Sequence, residues 1–280
     1  MTEGSEADGI TITQTAAGQI RTRLEGRGSQ TVVFIPDAPA MLEHHEGLFN
    51  ARPDDLKFMS IEPVGTGFSI PNDEFDFTFD QYTSALIEAL DRAHVSKAVF
   101  AVGCVNAYFA LLLTKKRPDL VDQLILWQAP SWKQELRFVH KSIDPHEALR
   151  QPDGPAKYEQ MKYMASKRWF EISGGPHGDA EDMTKRTHQV FDNGGCQCLA
   201  QLVGSMFYNP EPSFEPLQTK TTILWCGADN THRNSTPESL LKLVPNSQIV
   251  RWEDAGHLPE VEFPKRMVKL ISSNLAQNIN

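Results

Sequence analysis

Uninterrupted apolar runs recur along this chain. Thr31–Ile35, Leu56–Ile61, Ala98–Val102, Leu124–Trp127 and Thr221–Cys226 each lack the polar alternation of a strand with one wet face. Such runs predict strands covered on both sides, as in the interior of a parallel sheet. Gln248–Trp252 predicts a shorter strand. Helical periodicity lies between the runs: Phe79–His94 is amphipathic, and Tyr108–Thr114 is an apolar helical stretch that stops before Pro118. Ile10–Leu24 alternates and is broken by Ala16-Ala17-Gly18, which predicts a hairpin, while residues 1–9 are small, polar and acidic and predict a disordered tail.

From Ser131 to Thr219 the rhythm changes. Helical patterns rich in Lys, Glu and Met alternate with Gly/Pro breaks at 152–155, 174–176 and 194–195, and no buried strand is evident. The chain therefore divides into an α/β core, 10–131 and 217–280, and a helical insertion, 132–216. Trp132, Phe138, Tyr163, Trp169, Phe170, Phe207 and Tyr208 either roof a pocket from this insertion or pack its own core.

The turn after Ala98–Val102 carries the first candidate chemistry. Gly103 relieves the backbone where the chain reverses, and Cys104 then sits between a strand end and a helix N-terminus, where amides and dipole favour an anion. This strand–turn–helix resembles the nucleophile elbow of the α/β-hydrolase family, with cysteine in place of serine. Two registers are open. One puts Val105 in the nucleophile slot and implies an inert ligand-binding homologue. The other puts Cys104 there, and matches the family's alanine six residues on and proline fourteen on with Ala110 and Pro118.

Three further segments resemble the family in order. After the first buried strand, Pro36-Asp37 stands where the family has His-Gly, which implies that the Ala38 amide joins that of Val105 in binding an oxyanion. Glu62-Pro63-Val64-Gly65-Thr66-Gly67-Phe68-Ser69 is similar to its Asp-x-x-Gly-x-Gly-x-Ser loop, and Gly256-His257-Leu258-Pro259-Glu260-Val261-Glu262 to its Gly-His-x-Pro-x-x-Glu segment. Thr221–Cys226 followed by Gly227-Ala228-Asp229-Asn230 looks like the strand and loop that deliver a triad acid, either Asp229 or Asn230. The resemblance implies an α/β-hydrolase fold: a mostly parallel sheet flanked by helices, with a helical cap inserted after the sixth strand. It implies the triad Cys104, Asp229, His257, cleaving or transferring an acyl group from an ester, thioester or lactone through a covalent thioester, and the aromatic residues of the insertion suggest a small apolar or aromatic substrate. A lyase or cyclase that uses His257 as acid and base is the alternative.

Composition narrows this further. A net charge of −9 argues against nucleic acid or an anionic membrane as partner, and no apolar run approaches a membrane span. The expected partner is a small molecule, with homodimerisation open and the cytoplasm as the expected compartment. Four scattered cysteines do not make a disulfide scaffold, and Cys196-Gln197-Cys198 has the wrong spacing for a zinc pair. His44 and His45, flanked by Glu43 and Glu46, invite a metal reading, but no third ligand has convincing spacing. They are expected at a solvated helix start or the pocket mouth, with Asp37, Trp132, Trp169, Asn230 and His232 as other pocket residues. No metal or cofactor is expected.

Overall fold

A computed structural model describes residues 9–129, 131, 132, 162, 167–199, 201, 202, 211, 213, 215–232 and 234–277. The apolar runs form one sheet. Its strands are β1 (Gly9–Thr15), β2 (Gly18–Glu25), β3 (Gln30–Ile35), β4 (Leu56–Ile61), β5 (Ile70–Pro71), β6 (Ala98–Gly103), β7 (Val121–Trp127), β8 (Thr221–Cys226) and β9 (Ser247–Trp252). The order is β1-β2-β4-β3-β6-β7-β8-β9, with β5 on the edge of β2. β1, β2 and β5 pair antiparallel, as does β2 with β4, and every pairing from β4 through β9 is parallel.

Alternate residues of each central strand enter different cores. Val33, Ile35, Phe100, Val102, Leu124 and Leu126 face helices α2 (Phe79–Arg92) and α3 (Asn106–Lys116). Val32, Phe34, Val99, Ala101, Ile125 and Trp127 face the other way, towards α1 (Glu46–Asn50) and the C-terminal helix Pro264–Ala276. Two covered faces explain why the strands read as continuous apolar runs. The hairpin begins one residue early: Gly9, expected in the tail, pairs with Leu24.

Between β7 and β8 lie α4 (Lys167–Ser173) and α5 (Ala180–Asp192), and no strand occurs there among the described residues. The strand that precedes them is seventh rather than sixth in chain order because the two-residue β5, too short to read from periodicity, adds one. Phe138, Tyr163, Phe207, Tyr208 and the Trp169 side chain lie outside the described residues. Helices α6 (Pro259–Glu262) and α7 (Pro264–Ala276) close the chain. No described helix is long and apolar enough to cross a membrane.

Candidate active site

Residues from the ends of β3, β6 and β8 converge on one imidazole, carried by the loop after β9. The turn after β6 holds Cys104 at φ 53°, the left-handed region that a side chain occupies only when its surroundings impose it. Val105, immediately before α3, has ordinary helical angles. The strained elbow position is thus that of Cys104. Gly103 is required by contact: a Cβ there would lie 2.1 Å from Trp127 Nε1. Asn106, the first residue of α3, donates from Nδ2 to the carbonyls of Ile35 (3.3 Å) and Pro36 (3.1 Å), tying the elbow to the loop that carries Asp37 and Ala38.

His257 is buried in the loop before α6. Its Nδ1 is 3.0 Å from Asp229 Oδ2 and 2.8 Å from Thr231 Oγ1, and its Nε2 is 3.0 Å from Asp37 Oδ2. Asp37 Oδ, Cys104 Sγ and a His257 ring nitrogen all lie within 4.8 Å of one another, and all three residues are buried. Asp229 rather than Asn230 therefore meets the imidazole; Asn230 is exposed. His232 donates from Nδ1 to Asp229 Oδ2 (2.9 Å) and stacks on His257 at 5.0 Å between ring centroids.

The charges follow from these contacts. Burial works to raise the Asp229 carboxyl, but the His257 charge and the donors around it hold it well below the usual carboxylate range. Those donors are the Thr231 amide and hydroxyl on Oδ1 and Gln128 Nε2, His232 and His257 on Oδ2. Burial likewise works to lower His257, yet Asp229, then Cys104, then hydrogen bonds to Asp229 and Asp37 hold it well above the usual histidine range. These contacts favour the protonated form of the His257 imidazole beside the Asp229 carboxylate.

Thr231 and Gln128 were not singled out by sequence reading. Gln128 was legible in principle, because it directly follows the C-terminal end of β7, where side chains rise towards the site. Its Oε1 also accepts from the Cys226 amide (2.7 Å), which locks the side chain between two strand ends.

His44 and His45 require correction. Neither is solvated: their exposures are 5% and 0%. His44 Nδ1 accepts the Met41 amide proton, so Nε2 carries hydrogen and donates to the Met183 carbonyl of α5 (3.0 Å). His45 is bonded to Ser60 Oγ (2.8 Å), and burial pushes it down to about 3. The flanking acids are engaged elsewhere, Glu43 with Arg21 at 2.6 Å and Glu46 with Arg23 at 2.7 Å. Trp132 is packed against Phe79 and Tyr108 in the core. Phe170 is fully buried with Met183 and Leu258 and stacks on His44.

The Gly-His-x-Pro-x-x-Glu segment has a physical reason. Glu262 accepts the amides of Gly256 (2.6 Å) and His177 (2.7 Å), and the His257 amide donates to Ser173 O at the end of α4 (2.8 Å). The histidine loop is thus fastened to the inserted helices. Gly175, at φ +70°, has no room for a Cβ, which would stand 2.6 Å from the Gly256 nitrogen.

Solved structures share this architecture. A mutant of the Vigna radiata epoxide hydrolase superposes with a TM-score of 0.76 at 12% identity, covering 97% of this chain and 100% of that one. The chain has the α/β-hydrolase fold. A thermophilic esterase from Thermogutta terrifontis shares it, with TM-score 0.69, 20% identity and coverage of 96% and 98%. In sequence the chain is 22% identical to strigolactone esterase RMS3 of Pisum sativum over 91% of this chain and 96% of that protein. It is 20% identical to a protein named as a carbamate hydrolase, RutD, of Pseudomonas savastanoi, over 85% and 86%. No family model matches. Within this hydrolase fold, two of the departures from the family pattern, Cys104 and Asp37, face the same imidazole.

Proposed function

We propose that the chain is a hydrolase of the esterase type that works through a covalent thioester at Cys104. The observation that carries this reading is the elbow. A thiol in the strained position at the head of α3 lies within 4.8 Å of a histidine whose far nitrogen is held by a buried carboxylate. The curated relatives, named as an esterase and a carbamate hydrolase, support carbonyl substrates with a heteroatom leaving group.

The chemistry runs in two balanced steps. Thiolate Cys104 attacks the carbonyl carbon, and the oxyanion accepts hydrogen bonds from the backbone amides of Val105 and Ala38. As the tetrahedral intermediate collapses, the bond to the leaving group breaks and His257 Nε2 gives that group its proton. Water then attacks the thioester carbonyl while neutral His257 removes its proton. Thiolate leaves, the acid is released, and the imidazolium–thiolate pair is restored. Asp229, fixed by five donated hydrogen bonds, holds the ring orientation throughout.

One observation favours a second reading. Asp37 on His257 Nε2 gives the imidazole a second carboxylate partner, which suits repeated proton transfer without an acyl-enzyme, as in a lyase or cyclase. Brief exposure to aryl esters and acyl thioesters, followed by intact-mass measurement, separates the two. An acyl adduct at Cys104 that disappears in Cys104→Ala is the expected result. Turnover retained in Cys104→Ala but lost in His257→Ala transfers the assignment to the second reading. Ligand binding without turnover in either protein leaves an inert binding homologue.

A further inference from the structure

Cysteine in the elbow and aspartate in the oxyanion loop both lie against His257, and the three residues supply one sulfur, one oxygen and one nitrogen donor. A nucleophile mechanism gives a reason for the cysteine alone. It gives none for Asp37, whose carboxylate meets His257 Nε2 and which directly precedes the residue whose amide should stabilise negative charge. We propose that Asp37, Cys104 and His257 bind a divalent transition cation of the zinc class, and that its occupancy blocks the thiol.

Four features support this. The donor set suits a borderline-soft ion, with thiolate and imidazole beside a carboxylate and a fourth position left for water or substrate. The spacing is close. Ligand atoms around tetrahedral zinc are roughly 3.3–3.8 Å apart, so donors within 4.8 Å need to close by at most about 1.5 Å. Nε2 and Asp37 Oδ2 already stand at 3.0 Å. His257 also has the outer partner that metal-bound histidines use, since its Nδ1 proton goes to Asp229 and Nε2 is turned towards the other two ligands. Finally, the pocket is anionic: two buried carboxylates and a thiol surround one imidazole, a surplus that a divalent cation offsets.

The neighbouring trio Asp229, His232 and His257 also clusters, but there both ring Nδ1 atoms already donate to the same carboxylate oxygen. It is the brace of the site rather than its ligand set. Binding at the first trio is an exchange without redox chemistry. The cation replaces the proton between Nε2 and Asp37, together with any on sulfur, so affinity falls as pH falls.

The test uses the full chain made metal-free by chelation and dialysis, then titrated with Zn²⁺ or Co²⁺. Cobalt should give a thiolate-to-metal charge-transfer band at one ion per chain. Zinc should slow alkylation of Cys104 at least about tenfold, while Cys198, outside the cluster, is alkylated at an unchanged rate. Asp37→Asn, nearly isosteric, should weaken the ion by about tenfold or more; Cys104→Ser should bind cobalt without the thiolate band. No uptake, or uptake with full Cys104 reactivity, overturns the proposal. So does protection undiminished in Asp37→Asn, with folding of each variant checked by circular dichroism. Acyl capture at Cys104 in metal-free buffer is a separate measurement, so either claim can fail alone.

Discussion

His257 lies between Asp229 on Nδ1 and Asp37 on Nε2, and the two carboxylates do different work. Asp229 accepts five hydrogen bonds and fixes the ring; Asp37 accepts from the nitrogen that faces Cys104. Replacing Asp229 by Asn keeps the shape but removes the charge and permits the wrong tautomer. We expect kcat to fall by about 10²–10⁴, measured on whichever ester acylates Cys104. Asp37→Asn removes one of the influences that hold the imidazolium proton, so His257 should release it at lower pH. The basic limb of kcat/KM against pH should then move down in metal-free buffer. A limb that stays in place would mean Asp37 does not govern that proton. Sequence pointed to His257 through a motif of fixed spacing, to Cys104 through the strand–turn–helix around it, and to the Asp229/Asn230 pair through the strand and loop that carry them. It missed Thr231 and Gln128, whose importance depends on which strand ends meet, and that is a three-dimensional fact.

Elements matter here for the tightness of their joints. In the loop after β4, Glu62 accepts from Arg21, Leu42 N and Phe68 N, and Ser69 Oγ donates to the Glu62 carbonyl. Gly67, at φ +49°, passes so close that a Cβ would lie 2.1 Å from Glu62 Oε1. Gly67→Ala should therefore destabilise by more than the roughly 1 kcal/mol of an ordinary left-handed glycine, read from the urea midpoint. An unchanged midpoint would mean the loop relaxes freely. The glycines of this loop were readable as turn residues, and the buried strands as continuous apolar runs, because both signals are local. His44 and His45 were misread for the opposite reason. A His-His pair between two glutamates looks solvated along the chain, yet Arg21 and Arg23 draw the acids aside, α5 covers His44, and His45 is buried against Ser60 and Phe34. No local pattern announces that cover.

Stability of the whole molecule should carry the mark of groups buried behind the site. Glu260 is 1% exposed, with Oε1 4.0 Å from His45 Nε2, and burial pushes its carboxyl up to about 8 from an ordinary 4.5. The sign follows from linkage. A carboxyl raised in the fold contributes stability that is fully present below pH 4.5, where folded and unfolded chains are both protonated. That contribution is lost as pH rises towards 8, because the unfolded chain ionises freely and the folded one resists. His45 acts from the other side: held down at about 3, it removes stability as pH falls below 6.5. Glu260→Gln keeps the shape and abolishes the first effect. Its melting temperature should match the parent near pH 4.5 and exceed it increasingly up to pH 8. Each kcal/mol gained is worth roughly 2–4 °C in a chain slightly smaller than this one. Thermal unfolding followed by circular dichroism across that range gives the answer. A constant offset between the two proteins would show that Glu260 is not held protonated by the fold, and that His257 and Asp37 have an ionised carboxylate behind them rather than a neutral acid.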